Sequence, residues 1–174
     1  MKKYLVAAIG GNDLRLLAAS VATGVVVAVV VAMFEALTQP VLFEWLLKQP
    51  LGVLMFAPIA GVMVAHLILR FLGRGTTGST SDEYIRVFHD RSPRLPIIEL
   101  PGKLLAGVAT IGMGGAVGLE GPSIYAGSSL GLWIQEKTGG VIRRDQARLL
   151  LTAGAAAGVA AVFKAPATGV IFAM

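Results

Sequence analysis

The chain has no cysteine. Disulfides and thiolate metal sites are thereby excluded. Its two histidines, His66 and His89, are far apart and have no partner at metal-ligand spacing, so neither a metal nor a cofactor is expected. Charge is also scarce. Charged residues make up 14% of the chain against 55% hydrophobic, a balance that points to the membrane class rather than to a soluble domain. The scarcity is most marked late in the sequence. Between Lys103 and Glu136 the only formal charge is Glu120, inside the stretch GMGGAVGLEGPSIYAGSSLG at 112–131.

Two long apolar runs are present. Leu16 to Phe34 carries no charge and is rich in Val and Ala. At about 1.5 Å per residue it is long enough to cross a hydrocarbon core of roughly 30 Å. Gln49 to Leu69 is a second run, broken only by Pro50, Pro58 and His66. The N-terminal lysines Lys2 and Lys3 are followed by an apolar run of only Tyr4 to Ile9, short for a signal peptide. This start reads as a cytoplasmic lead-in.

The net charge of +5 does not imply nucleic acid as a partner. Lys2, Lys3 and Arg15 precede the first run, and Arg70, Arg74, Arg86, Arg91 and Arg94 follow the second. Only Lys48 lies between the runs. Basic residues favour the cytoplasmic side, so both outer flanks are placed there. The chain is expected to be an all-α, polytopic integral membrane protein, with a prokaryotic plasma (inner) membrane suiting the pattern.

Past Gly73 the sequence turns polar. Ser79, Thr80, Ser81 and Asp82 are good N-cap types, and Glu83 to Asp90 reads as a short helix ended by Ser92-Pro93. A third apolar region begins at Ile97, is interrupted by Pro101-Gly102-Lys103, and runs to Gly118. Gly107, Gly112, Gly114, Gly115 and Gly118 are too many for a helix in water, where each costs about 1 kcal/mol relative to Ala. In lipid they suit a close-packing face.

That packing face does not explain Glu120. Gly118 and Gly121 permit unusual backbone, and Pro122 fits the first turn of a helix. One half-helix is expected to stop at Gly118 and another to start near Pro122. Irregular backbone at membrane depth is tolerated only within protein or beside a watery cavity. The new helix would aim free N–H groups at the break, an arrangement that binds anions. The plainer alternative is a Glu120 that caps a helix end among headgroups. Buried ionisable groups in membranes are costly and therefore point to function.

These residues carry a resemblance. GxxGLEGPS is similar to the G-[RK]-E-G-P signature of the CLC family of chloride channels and chloride/proton antiporters. GTTGSTSDEYI occupies the place of that family's G-S-G-I-P segment. GAAAGVAAVFKAPATGVIFAM resembles the run leading to F-[NRK]-A-P-x-x-G-x-x-F. The three matches stand in family order and cover roughly residues 75–174, and the two opening runs resemble the family's first long helices.

The resemblance implies the first of two inverted repeats of the CLC fold, with broken half-helices, over residues 1–174. Glu120 would be the gating glutamate, competing with chloride and taking up protons. Gly118, Gly121 and Pro122 would shape the helix start at the anion site. Ser79 would be the serine that coordinates the anion. Phe163, Lys164, Ala165 and Pro166 would lie in the next family helix, at a subunit interface or around the pore. Chloride, protons and membrane lipid are the implied partners, with a homodimer as the assembly.

There are departures. Leu119 replaces the usual basic residue, which weakens the local positive potential. GSTSD keeps Gly-Ser but loses Gly-Ile-Pro, so Thr80 or Ser81 can share the role of Ser79. The second repeat is not in the chain, which reads as a piece of a longer protein. The inward-facing glutamate that separates antiporter from channel would fall just past Met174, so both remain open.

A chloride ion in a membrane needs its hydration replaced without a full positive charge that would trap it. Oriented amides and hydroxyls at helix ends supply this. Two other classes stand beside transport. Gly127-Ser128-Ser129-Leu130-Gly131 matches G-x-S-x-G in letters, with His66 as the candidate base, but lacks the strand–turn–helix context of a hydrolase. A non-transporting structural membrane protein would use the glycines for packing and Glu120 at the interface.

Overall fold

The computed structural model describes residues 11–90, 94–138 and 146–174, with side chains from Leu14 onward. The N-terminal lysines, Arg91 and the expected helix stop at Ser92-Pro93 lie outside the described residues. Among the described residues the chain is all-helical. Helix α1 spans Gly11–Ala36 and continues through a π-helical segment, Leu37–Phe43, into α2, Glu44–Leu47. Then follow α3 (Leu51–Phe71), α4 (Ser81–His89), a short 3-10 turn (Ile97–Glu99), α5 (Leu100–Gly112), α6 (Glu120–Lys137), α7 (Ala147–Phe163) and α8 (Pro166–Ala173).

Both apolar runs are helices long and apolar enough to cross a membrane, Leu14–Leu47 and Leu51–Phe71. The first extends well beyond Phe34, where the uncharged run ends. Pro40 has no N–H to give, and the helix accommodates it by widening to π register, with the Glu44 N–H reaching Gln39 O. Thr38 lends its hydroxyl to Phe34 O at 2.7 Å in the same turn. The apolar faces of these helices look outward. Val25 is 61% exposed and Phe56 67%, values a soluble core helix would not tolerate.

The centre of the fold is α6. Residues Pro122 to Leu132 are buried without a break, as expected of a helix surrounded on all sides. Helices α1, α4, α5 and α7 pack around it. Tyr125, Leu130 and Leu132 meet Val27, Val31 and Leu151 in one cluster. Against α7 the approach is backbone to backbone. A Cβ on Gly127 would strike Gly154 O, one on Gly154 would strike Gly127 O, and Gly131 and Gly158 face Leu150 O and Ser123 O in the same way. Two small-xxx-small pairs, Gly127/Gly131 and Gly154/Gly158, therefore set this antiparallel register.

The third apolar region differs from its expected course. Pro101-Gly102-Lys103 does not interrupt a helix but opens one, with Pro101 in the first turn of α5. The helix stops at Gly112 rather than Gly118. Gly114 takes φ 83°, its N–H bonds Ile111 O, and the Gly115 N–H bonds Thr110 O at 2.9 Å. That is the hydrogen-bond pattern of a Schellman cap. Gly107 and Gly112 do serve packing, against the Phe34 ring and Leu42, whereas Gly114, Gly115 and Gly118 belong to the loop.

Candidate functional site

The loop 113–119 delivers the chain to Glu120, the first residue of α6. Pro122 falls in the first turn, where the absent N–H costs no hydrogen bond. Leu119 O closes the turn by accepting the Ser123 N–H at 3.2 Å and the Ser123 hydroxyl at 2.8 Å. The half-buried Glu120 side chain folds back over Gly118, and its Oε2 fills the space a Cβ there would need. The acid thus lies over the break rather than reaching away from it.

A second helix begins at the same place. Thr80 is the N-cap of α4, and its Oγ1 would stand 2.6 Å from a Cβ on Gly121, with Ser81 Oγ at 3.5 Å. A larger residue than glycine at 121 would hold the two helix starts apart. The first N–H groups of α4 and α6 have no acceptor within their own helices, so both ends present partial positive charge to this junction. Beside it lies a cavity of about 190 Å³ lined by Gly78, Thr80, Lys103, Thr110, Val117 and Pro122, among others.

Of the residues singled out from sequence, Glu120, Gly118, Gly121 and Pro122 are brought together at the start of α6. Ser79 is one residue short of the α4 cap. Its hydroxyl donates to Asp82 Oδ2 over a long 3.4 Å, and the hydroxyl that meets α6 is that of Thr80. Phe163, Lys164, Ala165 and Pro166 do not lie in one helix. They form the corner between α7 and α8, with Lys164 in the left-handed region at φ 53° and paired to Glu35 Oε1 at 2.8 Å. Ser129 is fully buried in mid-α6, and His66 is on α3, which packs on α5.

Lys103 is a site residue that none of the sequence motifs singles out. It is buried to 3% exposure in α5, yet its ammonium reaches Ser79 O at 2.5 Å and Glu83 Oε2 at 2.7 Å and sits 4.3 Å from the centre of the Tyr125 ring. Tyr125 OH in turn lies 3.4 Å from Glu99 Oε2. An isolated lysine in an otherwise apolar stretch is the same kind of signal as Glu120, and it was available in ELPGKLLAGVATIG.

Residues 60–174 match the protein family described as voltage gated chloride channel. The chain belongs to that family. Among its curated relatives, the H(+)/Cl(-) exchange transporter ClcA of Klebsiella pneumoniae is 32% identical over 130 residues, covering 74% of this chain and 27% of the relative. The ClcA proteins of Salmonella arizonae and Salmonella newport are each 33% identical over 127 residues, covering 72% of this chain and 26% of the relative. The match thus spans about a quarter of the length of these relatives. No solved structure gives a significant match. The family assignment accords with the described residues, which are all-helical and include two membrane-length helices.

Proposed function

We propose that the chain forms the first inverted repeat of a multi-pass membrane protein that moves chloride, in exchange for protons or as a channel, with Glu120 as its gate. The observation that carries this reading is the meeting of the α4 and α6 N-termini at Gly121, with the Glu120 carboxylate folded over the break. Partial charges from helix ends attract an anion without holding it permanently. A carboxylate at the same end competes for those amides when ionised and yields them when protonated, which couples anion passage to pH. Gly118, Gly121 and Pro122 shape the helix start. Thr80, together with Ser79 and Ser81, supplies hydroxyls from the α4 side.

The outward apolar faces of α1 and α3 contact lipid, with both outer flanks cytoplasmic by their lysines and arginines. The second repeat closes the pathway at the repeat interface, where such proteins bind their ions. A dimer of the full-length protein is the proposed assembly, and the bacterial inner membrane its location. The test is chloride efflux from vesicles containing the purified full-length protein, with a potassium ionophore to dissipate the potential. Efflux above that of empty vesicles supports the reading, and its absence contradicts it.

A further inference from the structure

We infer that Lys103 is a positioning residue for anion binding, a buried brace that orients the peptide between Ser79 and Thr80. The inference rests on the transport reading. An ammonium taken out of water is costly unless its donors are met. Lys103, with its side chain 1% exposed, meets three groups from three elements: Ser79 O before α4, Glu83 in the first turn of α4, and the Tyr125 ring on α6. It ties α5 to both helices whose starts converge at Gly121.

The contact to Ser79 O is the informative one. A trans peptide is planar, so its C=O and the next N–H point in opposite directions. With the Ser79 carbonyl held at 2.5 Å by Lys103, the Thr80 N–H is turned away from the cation. The brace thereby fixes one amide donor at the cap of α4, whose Thr80 hydroxyl already faces Gly121. Glu83, at 2.7 Å, neutralises the lysine, so the brace adds little net charge beside a site that must release its ion. The structure assigns the pair opposite effects. Lys103 sets affinity through geometry, and Glu83 prevents trapping.

The experiment uses full-length protein in vesicles, with chloride binding by calorimetry and flux measured as a function of chloride. K103M is expected to raise the half-saturating chloride concentration about tenfold, with the maximal rate within about twofold. K103R, which keeps the donors, restores wild-type affinity. E83Q leaves the cation uncompensated and lowers both the half-saturating concentration and the maximal rate. If K103M alone fails to fold, the double variant K103M/E83M carries no unpaired buried charge and is expected to show the same weakened affinity. Wild-type affinity in K103M or in the double variant overturns the brace while leaving chloride transport standing. A wild-type protein that neither binds nor passes chloride overturns both.

Discussion

The Glu120 carboxylate occupies the space above Gly118 that any Cβ at that position would require. Gly118 is not in the left-handed region, so an alanine there meets no backbone strain, only this contact. Gly118→Ala is therefore expected to leave stability within about 0.5 kcal/mol of wild type, as a surface change does. The carboxylate must swing off the break. Chloride flux at alkaline pH is expected to rise, with a flatter pH profile, in vesicle assays on the full-length protein. An unaltered profile would show that the folded-back position has no bearing on gating.

The convergence of α4 and α6 is testable by a double-mutant cycle. Gly121→Ala places a Cβ against Thr80 Oγ1, and overpacking of this kind costs about 1–3 kcal/mol. Thr80→Ala removes the obstructing atom. The pair is expected to couple by about 1 kcal/mol in thermal or denaturant unfolding in detergent, because contacting residues are not additive. Additive effects would separate the two helix starts.

Glycines at the α6–α7 contact and on the outer face of α1 should differ sharply. Gly127→Ala or Gly154→Ala inserts a methyl into a facing backbone carbonyl that has no flexible end to move, so each is expected to lower stability by about 1–3 kcal/mol. Gly24, in α1, has open space where its Cβ would go. Gly24→Ala is expected to be neutral or stabilising by up to about 1 kcal/mol, from helix propensity. Equal losses at all these sites, read as midpoints of unfolding, would contradict the close-packed register.

Much of this was legible in the residues. The two uncharged runs announced α1 and α3 because length and hydropathy alone decide whether a helix can span lipid. The Gly-Leu-Glu-Gly-Pro stretch announced a helix start because Pro in the first turn and small residues before it have few other uses. The end of α5 was not legible. Its apolar residues run on past Gly112, and the stop depends on Gly114 turning left-handed while the Gly115 N–H reaches back to Thr110 O. Which glycine caps and which packs is decided by neighbours such as Leu42, distant in sequence. The extension of α1 is not legible from charge, since the uncharged run ends before Glu35, and it depends on the helix widening to π register around Pro40. Lys103 was missed because a lone basic residue near a Pro-Gly reads as a boundary. Its three partners come from positions 79, 83 and 125 and meet only in the folded chain.

The most direct measurement is the pH dependence of chloride flux through full-length protein carrying Glu120→Gln. Glutamine keeps the size of the side chain and removes its titration. The expected result is flux that no longer varies with pH and no longer drives protons in the opposite direction. Flux that follows pH in the variant as it does in the wild-type protein would contradict a gating role for Glu120.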